Sequence, residues 1–416
     1  MTDDEEALDS GGNDDAAGSS LIVSPQDFVC KKPFAFELGG EIPEFTLRYE
    51  TYGTLNADKS NAVLICHALT GDHHVAGKHR PSDKRAGWWD HFIGEGKAVD
   101  TRRYFVICSN CLGGCSGSTG PTSINPATGD PYGIDFPVLT MRDMVRAQKA
   151  LVEYLGIKKL HAVIGGSMGG MQTLIWAIEY PDAVANIVAM ACSARQNTQA
   201  IAFNVVARTA IIQDPNWLGG YYGELEGTGP RTGLAVARMM AHITYLSDLS
   251  LTIKTRRNPR IDLPGGRIAT ADFLRKITFP IESYLHHQGD KFLDRFDANS
   301  YLYITQATDR FNLSEHRSLD RVFANVKARA LVIGFSTDWL YPPWQNREIA
   351  MALQRAGKDA RYAEIEAVNG HDSFLLDSAR LYNLTAEFLA ENADFLPAGT
   401  DAGIRGNDAA APTEYL

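Results

Sequence analysis

The chain has 416 residues, 44% apolar and 22% charged, with a formal net charge of −10 at neutral pH. This balance is that of a globular protein and argues against a broad phosphate-binding face, so no nucleic-acid partner is expected. No apolar run approaches the roughly 18 residues of a membrane span and no basic-then-apolar leader opens the chain, so a cytoplasmic protein without membrane attachment is expected.

Residues 1–20 contain seven Asp or Glu and almost no large apolar side chains. Such a segment cannot bury enough surface to offset its ordering entropy, so a disordered acidic tail is predicted there, and a second disordered tail over 398–416. Between the tails, short apolar runs bounded by Gly, Asn or Asp predict buried strands over 62–67, 104–109, 161–165, 187–192, 328–335 and 360–365. Helical patterns separate them; the one over 141–155 opens with Thr140-x-x-Asp143, a capping-box spacing. The alternation predicts an α/β fold with a mostly parallel central sheet, formed by residues 21–194 and 312–397. Between Arg195 and Phe311 the strand signal fades. Helical pieces over 198–213, 233–246, 270–288 and 297–307 predict a lid-like insertion, 195–311, over a site at the sheet edge.

Gly165-x-Ser167-x-Gly169 follows an apolar strand and precedes a helical run over 171–180. A nucleophile at the apex of a strained strand-to-helix turn leaves no room for side chains two residues either side, which accounts for the glycines. A serine nucleophile requires a base, and the base an orienting carboxylate, in the chain order Ser, acid, His. Asp338, beyond the strand ending at Phe335, and His371, in the loop after the last strand, meet that order and position. An oxyanion hole is expected from the backbone N–H of Met168, which follows the nucleophile, and of Leu69, in the loop after the strand from Ala62. Cys108-x-x-Cys111-x-x-x-Cys115 lacks a His at zinc-like spacing and reads as buried or loop thiols. His73 and His74 lack a third ligand in the sequence and read as loop residues, and Trp88-Trp89 as core. No metal is expected.

The stretches Cys66–Gly71, Gly87–Asp90, Gly113–Pro121, Asp135–Pro137, Gly165–Gln172, Ala237–Tyr245 and Gly370–Asp372 together resemble homoserine O-acyltransferases of the α/β-hydrolase fold, over roughly residues 25 to 395. The resemblance implies a ping-pong acyl transfer from acyl-CoA, a co-substrate rather than a resident cofactor, to L-homoserine through acyl-Ser167, on the route to methionine. It implies further that Arg238 holds the acceptor's carboxylate and Asp372 its ammonium, and that the chain forms a homodimer through the insertion. It sets Asn110 and the loop 113–121 near the site mouth. Succinyl-using members carry an Arg where this chain has Leu340, so acetyl-CoA is the expected donor. The alternatives are succinyl transfer, a serine acceptor, and hydrolysis on the same fold.

Overall fold

The computed structural model describes residues 21–223, 229–257, 279–391 and 393. The main sheet has eight strands: β1 (Gln26–Cys30), β2 (Phe45–Tyr52), β3 (Ala62–Cys66), β4 (Phe105–Ser109), β5 (Leu160–Gly166), β6 (Val184–Met190), β7 (Arg329–Phe335) and β8 (Ala360–Ile365). Their spatial order is β1-β2-β4-β3-β5-β6-β7-β8. β2 runs antiparallel to β1 and β4, and every other neighbouring pair is parallel. This is the mostly parallel sheet of the α/β-hydrolase fold.

Alternation along each strand divides the core. Val63, Ile65, Ile164 and Ile333 point to one face, where Trp89, Phe92, Phe374 and Phe388 pack. Leu64, Val163, Ile187 and Val332 point to the other, against α1 (Met141–Tyr154) and α2 (Met168–Glu179). Burial on both faces explains why the parallel strands read as continuous apolar runs. The capping box on α1 is present: Thr140 Oγ1 accepts from Asp143 N, and Asp143 Oδ2 accepts from Thr140 N at 2.8 Å.

Three expectations need adjustment. β6 starts at Val184, ahead of the predicted 187, because Asn186 is polar yet buried, its Nδ2 donating to His161 O at 2.8 Å. β1 and β2 lie outside the predicted set; β2 alternates Phe, Thr, Leu, Arg, Tyr instead of forming an apolar run. α2 begins at Met168, three residues before the predicted start, across a Gly-Gly pair that helix propensity disfavours.

Between β6 and β7 stand α3 (Thr198–Ile212), α4 (Arg231–Tyr245), α5 (Asp248–Thr255), α6 (Pro280–Phe292) and α7 (Ala298–Asp309). Of the helix predicted over 270–288, residues 270–278 lie outside the described residues, as do both predicted tails. The insertion has an apolar cluster of its own, built from Ile211, Leu234, Ala237, Phe292, Tyr301 and neighbours. Its two ends meet: Gln196 N donates to Phe311 O and Leu313 N to Ala194 O, each at 2.9 Å, around an antiparallel bridge between Arg195 and Asn312. After β7 come α8 (Pro343–Arg355) and, beyond β8, a 3-10 turn Gly370–Leu375 and α9 (Ala379–Ala390).

Candidate active site

The carboxyl ends of four parallel strands deliver the site, as open α/β sheets do. β5 ends at Gly166 and the next residue, Ser167, caps α2 with φ 58° and ψ −123°. An L-residue is strained there, and it persists because the surroundings leave no alternative. A methyl group built on Gly169 would lie 2.0 Å from Cys66 O, and one on Gly165 2.4 Å from the Gly169 carbonyl. β3 and α2 therefore approach each other closely enough to lock the turn.

β7 leads to Asp338 and β8 to His371. His371 Nε2 lies 2.8 Å from Ser167 Oγ, and His371 Nδ1 lies 2.8 Å from Asp338 Oδ2. All three residues are buried, Ser167 being 8% exposed and the other two 2%. Asp338 Oδ1 also accepts the backbone N–H groups of Leu340 and Tyr341, at 3.0 and 2.9 Å. A carboxylate held this way accepts only, so Nδ1 of the imidazole carries the proton and Nε2 is left to accept from Ser167 Oγ–H. The loop holding His371 is fastened on two sides. Thr337 Oγ1 accepts from Gly370 N at 3.0 Å, and Ser247 Oγ donates to Val368 O.

Leu69 sits in the turn after β3, closed by Gly71 N donating to Ala68 O at 2.9 Å. His67 braces that turn: Nδ1 lies 2.7 Å from Ala68 O, and Nε2 accepts from Cys111 N at 3.0 Å. Leu69, Ser167 and Met168 line one pocket, open to solvent on one side, which the insertion covers with residues of α3, α4 and α7. Its walls are mostly apolar, with Leu340, Phe203 and Met240, relieved by Gln196, Asn204 and Thr244.

Arg238, on α4, lies over the Phe292 ring at 4.8 Å and donates to Thr70 Oγ1 at 3.3 Å, beside the Leu69 turn. Asp372 directly follows His371; burial pushes its carboxyl up to about 6, while the Arg238 cation pulls the other way. Arg238 thus lies near the relay through Tyr245, whose ring is 5.9 Å from its guanidinium and 5.8 Å from the His371 ring, and close enough to Asp372 for their charges to interact; neither Arg238 nor Asp372 lines the pocket with Ser167. A buried hydroxyl beside an imidazole, with the backbone N–H of Met168 at a helix start and that of Leu69 in the turn after β3, can form and break an ester; a cation and an anion near it can grip a zwitterion.

Several residues here carried no sequence signal. Arg295 donates to Thr70 O at 2.9 Å and lies over the same Phe292 ring, 5.3 Å from its centroid; burial and the Arg238 cation hold its guanidinium below the usual value. Tyr341 packs against His371, ring centres 5.2 Å apart, and its hydroxyl donates to Gln196 Oε1 at 2.9 Å. Neither has a motif, and only three-dimensional proximity singles them out. Asn110 and the loop 113–121 prove to be sewn to β2: Arg48 N donates to Ser118 Oγ, Thr46 N to Thr119 Oγ1 and Ser118 Oγ to Asn110 O. Their small residues serve this edge stitching.

All six cysteines are free, and burial pushes the Cys111 and Cys115 thiols up to about 12. Trp89 is fully buried and its Nε1 donates to Phe374 O at 2.9 Å, tying the core to the His371 loop. The expectation that His73 and His74 lack further ligands fails in space. Glu50 and His79, from elsewhere in the chain, join them.

Residues 61–377 match the family model described as alpha/beta hydrolase fold. The homoserine O-acetyltransferase of Methanohalobium evestigatum is 57% identical over 88% of this chain and 73% of that protein. The homoserine O-succinyltransferase of Acidithiobacillus ferrooxidans is 47% identical over 91% of this chain and 97% of that protein. Among solved structures, esterase E22 superposes with a TM-score of 0.80 at 33% identity, covering 88% of this chain and all of that one. Among the described residues, no helix is long and apolar enough to cross a membrane.

Proposed function

The chain belongs to the homoserine O-acyltransferases of the α/β-hydrolase fold, and from that membership we propose that it transfers an acetyl group from acetyl-CoA to the hydroxyl of L-homoserine through an acyl-Ser167 ester. The observation that carries the reading is the buried relay from Asp338 through His371 to Ser167 at the floor of the capped pocket.

Ser167 Oγ attacks the thioester carbonyl as His371 Nε2 takes its proton. The backbone N–H groups of Met168 and Leu69 receive the charge that develops on the carbonyl oxygen. CoA leaves with the proton from His371, and the imidazole is again free to accept. Homoserine then enters with its carboxylate on Arg238 and its ammonium near Asp372; its hydroxyl oxygen attacks the ester carbonyl as His371 takes the hydroxyl proton, and His371 returns that proton to Ser167 Oγ as the serine leaves. A planar guanidinium suits the carboxylate, and an acceptor held there under the roof of the insertion meets the ester ahead of water. No permanently bound cofactor is needed. The product is an activated ester of the kind that feeds methionine synthesis.

Acetyl is favoured over succinyl because Leu340 presents an apolar wall rather than a cation for a distal carboxylate. The similarity to esterase E22 supports a second reading, in which water is the acceptor on the same relay. One experiment separates these: CoA release from acetyl-CoA and succinyl-CoA with L-homoserine, L-serine or no acceptor. The proposal requires release with acetyl-CoA and L-homoserine. Equal release without any amino acid would transfer the assignment to a hydrolase, a preference for succinyl-CoA would overturn the donor, and a preference for L-serine the acceptor. Arg238→Ala should raise the KM for homoserine while leaving hydrolysis of a simple acetyl ester near wild type.

Cytoplasmic residence fits six unpaired thiols. Homodimerisation through the insertion fits the exposed Val205, Val206, Ile212 and Val236 on α3 and α4, and light scattering of the purified chain tests it.

A further inference from the structure

Beyond the Leu69 turn, where the chain passes β2, four imidazole and carboxylate groups converge. Glu50 on β2 is fully buried, an expensive place for a carboxylate unless compensated. Its Oε1 lies 2.6 Å from His79 Nε2 and its Oε2 lies 3.0 Å from His74 Nδ1. The ligand atoms of Glu50, His74 and His79 all lie within 4.8 Å of one another. His73, 7% exposed, aims Nε2 at the same Oε1 from 3.7 Å, too far for a hydrogen bond, and its buried Nδ1 has no hydrogen-bond partner. Tyr52 supports the carboxylate from behind: its hydroxyl donates to Glu50 Oε2 while accepting from the backbone N–H of Val75 and Ala76.

We propose that Glu50, His74 and His79 form a structural binding site for a divalent transition-metal ion of the zinc class. Two imidazoles and a carboxylate are a donor set that suits Zn²⁺ or Co²⁺ and not Mg²⁺ or Ca²⁺, which demand more oxygen. His79, with its side chain 39% exposed, keeps one side of the cluster open to water for the fourth position. Tetrahedral bonds of about 2.0–2.1 Å separate ligand atoms by roughly 3.3 Å, so the 2.6 and 3.0 Å contacts of the proton-bridged cluster must open by less than an ångström on metal entry. In a neutral ring, the proton on the facing nitrogen moves through water to the far nitrogen, and in an imidazolium it is released to solvent; each facing lone pair then goes to the ion. The hydrogen bond from Tyr52 to Glu50 is the outer contact that such carboxylate ligands usually have.

The ion would fasten the segment 74–79 to β2. That segment continues directly from the Leu69 turn through Asp72, whose Oδ1 accepts His74 N at 2.9 Å and whose carbonyl accepts Trp88 Nε1 at 3.0 Å. The metal therefore stabilises the fold beside the pocket and takes no part in acyl transfer.

The test uses the full, untagged chain after chelation, titrated calorimetrically with Zn²⁺ and with Mg²⁺, together with visible spectra on adding Co²⁺. We expect one Zn²⁺ per chain, a tetrahedral Co²⁺ spectrum, a thermal midpoint that rises with Zn²⁺ and not with Mg²⁺, and affinity weaker by at least the roughly 10- to 100-fold of a lost outer contact in His74→Gln and His79→Gln, which remove direct ligands. His316→Gln, at a side chain 88% exposed, should bind like wild type. The absence of stoichiometric Zn²⁺ binding by wild type, or equal binding by all three variants, overturns the site. The Co²⁺ spectrum of wild type decides the matter even if a variant fails to fold.

Discussion

Replacing Asp372 by Asn should stabilise the protein at neutral pH while damaging acceptor binding. Burial lifts the Asp372 carboxyl from an ordinary 3.8 to about 6. Below 3.8 both the folded and the unfolded chain hold the proton, and the ionisation cost is absent. Between 3.8 and about 6 the unfolded chain has lost the proton and the folded one has not, so wild-type stability falls as pH rises; above about 6 the loss is complete. At about 1.36 kcal/mol for each pH unit the full displacement is worth about 3 kcal/mol, an upper bound because Asp372 retains some exposure to screening water. Asn has the shape of the protonated acid without its titration. The variant should match wild type near pH 4 and exceed it by up to about 3 kcal/mol above pH 7, read from thermal midpoints across that range. Its KM for homoserine should rise about 10- to 100-fold, the worth of one charge-assisted hydrogen bond. A variant less stable than wild type at pH 8, or a stability difference that does not change with pH, would show that Asp372 is a structural acid of the 3-10 turn, and the clamp would lose its anion.

Asp338→Asn should fold normally and lose about 10⁴-fold in kcat, because an amide in place of the carboxylate lets the imidazole present the wrong tautomer; circular dichroism alongside steady-state kinetics checks both halves. Ser167→Ala should abolish the acetyl adduct that intact-mass spectrometry detects after mixing wild type with acetyl-CoA. Gly169→Ala should destabilise by several kcal/mol or prevent folding, since the methyl would sit 2.0 Å from Cys66 O; a soluble variant with a wild-type melting point would refute the close approach of β3 and α2. Cys108 and Cys111 should resist a thiol reagent at pH 8 in the native protein and react after denaturation, because burial raises both thiols.

The parts of the fold legible in the sequence are those whose side chains meet apolar surroundings on both faces. β3, β5 and β7 are nearly continuous apolar runs, and Leu69, Ser167 and Asp338 sit one to three positions past them, with His371 six past the more mixed β8. β1 escapes because it is a short, largely exposed edge strand, and β2 because Thr46, Arg48 and Glu50 put a polar residue at every second position, which hides it from a search for apolar runs. The start of β6 escapes because Asn186 satisfies its amide on a neighbouring strand, which only the folded sheet supplies. In the site, Ser167, Asp338 and His371 are legible because strand ends and chain order constrain them. Arg295, Tyr341 and Glu50 are not. Their partners lie 225, 145 and 29 residues away, and nothing local marks them.

The meeting of the two ends of the insertion has a practical meaning. Between Ala194 and Leu313 the chain leaves the sheet and returns through one doorway, zipped by two backbone hydrogen bonds. The helices beyond that doorway hold together around Phe292 and Tyr301. A segment with adjoining ends and its own core is exchangeable cargo for the scaffold that bears it, because a graft need reproduce only the doorway spacing and the few bonds to the site loops, such as those from Ser247 to Val368 O and from Arg238 and Arg295 to Thr70. Recombination between relatives could therefore replace the pocket roof in a single step while Ser167, Asp338 and His371 stay at the ends of strands that lie outside it. Acceptor choice and ester chemistry would then be inherited separately, and a chimaera joined at 194 and 313 is the protein in which to watch them part.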